Sequence, residues 1–256
     1  MRIACFNVNS VRRRVPHLRR FLERHSPDLV FLQETKCRTE EFPALEFEGA
    51  GYRVHAVGQQ GGRNGVAVLG RIPFEVAGEA LPGEAEDSHA RFLDVQAAGV
   101  RFAGIYLPNG NSGGEDGFAY KLRWMERLGA WVRERLDGFE SCAVLGDFNV
   151  CPTDADFPPG ALPPTDALVH PASRARFRAL LHAGMTDALA ALHPAGDAPF
   201  TYWDYGPAFE SNRGLRIDHI LLSPELAERL VECGVDVAAR AEDAPSDHAP
   251  VWCDIQ

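Results

Sequence analysis

The sequence predicts an α+β protein in which two mixed β-sheets pack face to face and helices cover their outer sides. Three observations carry this. Short apolar segments of strand length alternate with amphipathic helical stretches along all 256 residues. A hydrophobic content of 45% is ample for a core of that size. No repeat, low-complexity tract or long linker interrupts the chain, so residues 1–256 read as a single domain.

In chain order, "RIACFNV" and "DLVFLQET" are predicted strands around a helix near residues 11–25, which Pro27 and Asp28 end. "GVAVLG", "RFLDVQA", "VRFAGIYLP" and "SCAVLGDFN" are further strands. "AYKLRWMERLGAWVRERL" spaces Leu122, Met125, Leu128, Trp131, Val132 and Leu136 as one face of a helix. A second helix is expected from Ser173 to Ala183, with Asp187 beyond it. Then come the strand in "LRIDHILLSP", a helix from Pro224 to Glu232 and a final strand in "APVWCDI". Cys151 to Pro171, rich in Pro and Asp, reads as a long loop, and such loops in compact domains tend to carry function.

The bulk numbers exclude some classes. The segment "MRIACFNVNSVRRR" lacks a signal-peptide pattern and no stretch reaches membrane-span length, so a cytoplasmic protein that does not engage a membrane is expected. The 6 cysteines form no C-x-x-C pair, which argues against a zinc site or a disulfide framework. A net charge of −10 argues at first against a nucleic-acid partner. Distribution matters more than the sum: Arg12, Arg13 and Arg14 cluster, Arg174, Arg176 and Arg178 alternate, and Arg213 and Arg216 lie near one glycine.

The chemistry gathers where strands end. "ACFNVN" yields Asn7 and Asn9, "VFLQET" yields Glu34, "VLGDFN" yields Asp147 and Asn149, and "LRIDHILL" yields Asp218. "PSDHAPV" sets Asp247 beside His248 before the last strand. One such residue alone is most often a turn former. Together, Glu34, Asp147, Asp218 and Asp247 at one sheet edge would need a cation or hydrogen-bond donors, because buried unpaired carboxylates are costly. All-oxygen ligands suit Mg²⁺ or Mn²⁺, completed by substrate phosphate, which points to phosphate-ester chemistry. Period-2 alternation would put Asp147 and Asn149 on one face and turn Phe148 into the core. Asp147 could then take a proton from water that Asn149 holds. A carboxylate near His248 would favour its charged form and let it neutralise developing phosphate charge.

Taken in order, "FNVNSVR", "PDLVFLQETK", "GVAVL", "YLPNG", "GDFNVCPTDAD", "FTYWDY", "NRGLRIDHILLS" and "PSDHAPV" resemble the exonuclease III family of apurinic/apyrimidinic endonucleases, within the endonuclease/exonuclease/phosphatase superfamily that includes deoxyribonuclease I. The resemblance spans nearly the whole chain. It implies a four-layer αββα sandwich and an activity: a Mg²⁺-dependent (or Mn²⁺-dependent) monomeric DNA repair phosphodiesterase. Such an enzyme cleaves double-stranded DNA 5′ to abasic sites and acts on 3′ ends as exonuclease and phosphatase.

Residue by residue, the resemblance makes Glu34 a direct metal ligand with Asn7 and Asn9 beside it. Asp147 activates or positions water, Asn149 orients it, and both lie with Asp247 among the candidate metal-site residues. Tyr106 touches phosphate or the leaving oxygen, with Asn109 nearby. Asp218 supports the site and Asp247 pairs with His248. Arg12 matches a phosphate contact, and Tyr202, Trp203, Leu215 and Ile217 match an apolar pocket for a base-free sugar. "FPPGALPPTDALVHPAS" departs from the pattern by being shorter and richer in proline. It is expected to bring Val169 and His170 to the pocket rim and to shift the balance from internal incision toward 3′-end cleanup. Two rivals stand beside this reading: a superfamily hydrolase of RNA tails or phosphoinositides, and a non-catalytic nucleic-acid-binding regulator.

Overall fold

The computed structural model describes residues 1–194 and 196–256. Among the described residues, twelve strands form two sheets. β1 (Arg2–Asn7), β2 (Leu29–Gln33), β3 (Arg53–Val57) and β4 (Val66–Gly70) belong to the first. β5 (Glu75–Gly78), β6 (Phe92–Ala97), β7 (Val100–Tyr106), β8 (Cys142–Asp147), β9 (Thr186–Asp187) and β10 (Asp218–Leu222) make the second. β11 (Leu230–Val235) and β12 (Val251–Ile255) return to the first. The strand orders are β11-β12-β1-β2-β4-β3 and β5-β6-β7-β8-β10-β9. The helices are α1 (Val11–His25), α2 (Leu45–Glu48), α3 (Gly114–Asp137), α4 (Pro171–His182), α5 (Ala188–Leu192), α6 (Pro224–Glu228) and α7 (Val237–Arg240).

Strand alternation builds the layers. Ile3, Cys5, Leu29 and Phe31 face inward and meet Leu93, Phe102, Leu145 and Ile220 of the other sheet. Ala4, Phe6, Val30 and Leu32 point outward beneath Leu18, Phe21 and Leu22 of α1. On the far side, Ala103, Ile105 and Val144 carry Trp124, Leu128 and Trp131 of α3 and Phe177 of α4. The result is the four-layer αββα sandwich. No helix among the described residues is long and apolar enough to cross a membrane, and all six cysteines are buried thiols.

The expected elements differ from the observed ones mainly at edges. The helix from Pro224 stops at Glu228, and Leu230–Val235 instead forms edge strand β11 against β12. A run that looks helical by spacing is taken by its hairpin partner, because ladder hydrogen bonds outweigh weak helix propensity. α3 starts earlier than its apolar stripe, at Gly114, where Glu115 and Asp116 suit the positive helix end.

Candidate active site

Strand direction puts the polar residues at one end of both sheets. β1 and β2 run parallel and finish together at Asn7 and Gln33. In the second sheet, Tyr106 pairs with Asp147 at the parallel ends of β7 and β8, and antiparallel β10 opens with Asp218 opposite Asp147. Glu34, Tyr106, Asn109, Asp147, Asn149, Asp247 and His248 line one cleft of about 520 Å³.

The turns that reach it are strained and interlocked. Asn9, Ser10, Glu34 and Asn149 all have left-handed backbones, with φ of 41°, 86°, 51° and 47°. For non-glycine residues this costs on the order of 1–3 kcal/mol each and persists only where neighbours enforce it. The enforcement is visible in three backbone bonds: Val8 N to Gln33 O at 3.0 Å, Ser10 N to Glu34 O at 2.8 Å and Val11 N to Thr35 O at 3.0 Å. Gly146 has φ 141°, and a Cβ there would meet the Ile105 carbonyl oxygen, so the first position of "GDFN" tolerates no side chain.

At the centre, Asn7 accepts from the Asn9 backbone N–H at 3.1 Å, which turns its NH₂ toward Glu34 and Asp147, both at 2.9 Å. His248 lies between Asp218, 2.8 Å from Nδ1, and Asp147, 3.8 Å from Nε2. Burial opposes its charge, but Asp218 outweighs this with help from Asp147 and Asp247, and the pKa rises to about 10. Burial, reinforced by Asp218 and Glu34, pushes Asp147 up to about 7 despite His248. Glu34 goes the other way: although burial would raise it, Lys36 at 2.7 Å and the Asn7 amide hold it low. Burial, with Glu34 and Asp147 adding to it, raises the Tyr106 phenol, so its hydroxyl stays a donor.

Ligand atoms of Glu34, Asp147 and His248 lie within 4.8 Å of one another. The donor set fits a hard cation. Two carboxylates converge, one of them held from easy ionisation by its negative neighbours, which is the situation a bound Mg²⁺ relieves. His248 completes the group, its imidazole held on Asp218 through Nδ1.

Several expected placements are corrected. Asp247 does not pair with His248; its Oδ1 accepts from Asn9 Nδ2 at 3.0 Å, and Asp218 is the partner of the imidazole. Asn7 directs its NH₂ at both carboxylates, and the Asn9 side chain is taken by Lys36 at 2.6 Å and Asp247, so neither is set up as a metal ligand. Asn149 reaches the cleft through its left-handed turn and not by strand alternation. Its Nδ2 donates to Leu107 O and its Oδ1 accepts from Asn109, so both ends of the amide are occupied. Phe148 is buried as expected.

Trp203 is not in the pocket. It packs on Phe200 and Phe209 and donates to Asn212 at 3.3 Å, while Tyr202, Leu215 and Ile217 do line the cleft. His170 caps α4 by accepting from Ala172 N and stacks on Phe118; the rim is built by Ala161, Leu162 and Leu168. Arg12 lies outside the cleft, half-exposed and 3.7 Å from Glu41.

Two supporting residues escaped the sequence reading. The Thr201 hydroxyl donates to Asp218 at 2.7 Å and accepts from the Ile217 and Asp218 backbone, fixing the partner of His248. Lys121, fully buried, donates to the carbonyls of Asn109 (2.9 Å) and Asn149 (2.6 Å). Its signal was present, since Lys121 falls on the same helix face as Met125, Leu128 and Val132.

Against known proteins, residues 4–248 match the Endonuclease/Exonuclease/phosphatase family. Exodeoxyribonuclease III of Haemophilus influenzae is 33% identical over 268 residues, covering 100% of both chains. Among solved structures, a 3′ phosphatase, NExo, from Neisseria bound to a product DNA hairpin superposes with a TM-score of 0.94 at 36% identity, covering 100% of this chain and 99% of that one. An AP endonuclease from Archaeoglobus fulgidus gives 0.93 at 33% identity, with coverage of 100% and 99%. The chain therefore belongs to the endonuclease/exonuclease/phosphatase family. Within it, the chain is an exonuclease III-like nuclease, a phosphodiester hydrolase.

Proposed function

We propose that this nuclease is a Mg²⁺-dependent DNA repair enzyme, able to use Mn²⁺, that acts on double-stranded DNA. It hydrolyses the phosphodiester 5′ to an abasic site to leave a 3′-hydroxyl, and it removes 3′-terminal nucleotides and 3′-phosphates. The observation that carries this is the juxtaposition of Glu34, Asp147 and His248 in one open cleft. The 3′ phosphatase and AP endonuclease likenesses supply the substrate class. The reading takes residues 1–256 as one domain that acts as a monomer in the cytoplasm, with the family match over residues 4–248 in its support.

Glu34 and Asp147 would hold the cation, which supplies Lewis-acid polarisation of a phosphate oxygen. Asp147 accepts the proton of the attacking water as general base. Asn109 and Asn149 present a fixed amide pair beside the phosphate. As water adds to phosphorus and the bond to O3′ breaks, His248 offsets the growing charge from a position set by Asp218 and Thr201. Tyr106 remains protonated and can donate to phosphate or to the leaving oxygen. Leu215, Ile217 and Tyr202 offer an apolar surface to a sugar turned out of the helix.

The test uses end-labelled duplexes carrying an internal abasic analogue or a 3′-phosphate, each with Mg²⁺ or EDTA, beside Asp147→Asn. Metal-dependent cleavage of both, absent in the variant, is expected; binding without cleavage would favour the non-catalytic regulator. The proline-rich loop now bears on selectivity through Leu162 and Leu168 at the rim, with His170 turned aside. Loss of only the 3′-phosphate would make the protein an end-cleaning enzyme, and Leu162→Gly should then restore internal incision.

A further inference from the structure

Residues 213–217 run past Tyr202 along one wall of the cleft, joined to it by a single antiparallel bridge at Leu215. Leu215 and Tyr202 exchange backbone hydrogen bonds at 2.8 and 3.0 Å, and Tyr202 also bridges to His248. Alternation is strict on this wall. Arg213, Leu215 and Ile217 face the cleft, while Arg216 turns away to pair with Asp156 and Asp187. Asp204 lines the same cleft as Arg213.

The cleft thus changes chemistry along its length. Buried Asp147 and His248, with Glu34, make one part ionic; Ile217, Leu215 and Tyr202 give an apolar stretch; and exposed Arg213 and Asp204 add polar groups toward solvent. A 3′-terminal nucleotide has the same order of phosphate, sugar and base. Arg213, four residues from Ile217, is exposed where Ile217 is buried, and so lies toward solvent.

Arg213 is prepared for a ligand. Among the described residues, its guanidinium has no hydrogen bond or ion pair, although Asp204 lines the same cleft. Its backbone is fixed: Arg213 N donates to Ala208 O at 2.8 Å, Asn212 has φ 47° and accepts from Trp203, and a Cβ on Gly214 would strike Trp203 and Phe200. This gives Trp203 a purpose as the support of the Arg213 turn.

We propose that Arg213 and Asp204 form a subsite for the base of the 3′-terminal nucleotide. Arg213 lies on or beside the base plane, and Asp204 accepts from its edge. The inference rests on the proposed 3′-end activity and extends it: the cleft accommodates a terminal nucleotide that still carries its base.

The experiment compares the protein with Arg213→Ala on two nicked duplexes. One ends in an ordinary 3′-terminal nucleotide with a free 3′-hydroxyl, the other in a base-free tetrahydrofuran residue, and the bond cut in each is the phosphodiester on the 5′ side of that terminal residue. KM and kcat are measured for each, and affinities are measured in EDTA across a salt series. The variant should raise KM and Kd about tenfold on the base-bearing end. On the base-free end both should change less than twofold, with the salt slope unaltered. Equal losses on both ends, with a salt slope lower by about one, would overturn the proposal by making Arg213 a phosphate contact. No change on either end would overturn it too. The EDTA affinities separate this from the function itself: an inactive protein with a base-dependent loss of binding in the variant would refute the proposed reaction and uphold the subsite.

Discussion

Replacing Arg216 with Met tests whether the loop beneath the active site is held by a buried charge network. Arg216 is 4% exposed and bonds Asp156 at 2.5 Å and Asp187 at 2.6 Å. Its Nη1 also meets His219 Nδ1, while His219 Nε2 donates to the Val150 carbonyl at 3.0 Å, at the end of the "GDFNV" turn. Removing one partner of a buried ion pair costs about 3–5 kcal/mol. Each carboxylate keeps two other contacts, Asp156 with the Thr153 backbone N–H and hydroxyl and Asp187 with Ala190 N and His219, so the lower end, about 3 kcal/mol, is expected. For a chain of this size that lowers Tm by about 6–12 °C.

The pH dependence fixes the cause. Burial alone would raise the Asp187 pKa, but the Arg216 charge and the His219 contact drive it well below the usual carboxylate range. A depressed pKa contributes stability that is present above the unfolded value, about 3.9, and is lost only as pH falls through the folded one. Without Arg216, burial raises Asp187 instead, so the variant is penalised at neutral pH and recovers as the carboxylate protonates. Urea unfolding at pH 7.5 and 5 should show the gap to the unsubstituted protein narrowing at the lower pH. A loss under about 1 kcal/mol, or a gap independent of pH, would refute the reasoning.

Asp147→Asn should lower kcat by about 10²–10⁴-fold in steady-state cleavage while leaving Tm unchanged or higher, since a buried carboxylate is removed. Saturating Mg²⁺ at about 100 times its Kd should stabilise the protein by about 2.7 kcal/mol, and Glu34→Gln should abolish that thermal shift. Burial lowers Lys121 to about 7, despite the opposing charge of Asp147. Between that value and its unfolded pKa, about 10.4, the unfolded chain binds the extra proton, so stability should rise with pH across this window. Urea titrations in EDTA at pH 7 and 9.5 should show that rise, and Lys121→Met should lose it.

Much of this was legible because strands report themselves by alternation and their ends by polar residues. The apolar runs ending in Asn7, Glu34 and Asp147 announced both the sheet edge and the cluster there. What sequence could not supply was partner choice. "SDH" puts Asp247 next to His248 in the chain, yet successive residues of an extended segment face opposite ways, and the imidazole instead meets Asp218 from β10. Asn149 sits past the end of its strand, where a left-handed residue replaces alternation. Aromatic "YW" could not say which ring faces the cleft, because that depends on the Leu215 bridge. Leu230–Val235 became a strand for the same reason, through a neighbour distant in sequence.

The two halves of the reaction centre ride on different sheets. Glu34 and Asn7 extend from the first, and Tyr106, Asp147 and Asp218 from the second; Asn7 spans the gap with one bond to each carboxylate. The spacing of the jaws is therefore set by the thickness of the filling between them. Within that filling Gly104 lies against the Phe31 ring, so close that a Cβ would sit 2.3 Å from its Cδ1. Gly104→Ala would act as a shim: it would spread the jaws at a distance from any reacting atom, and a misplacement of about 1 Å can cost about 100-fold in rate. In this architecture the interior packing is a caliper, and its setting is read out as turnover.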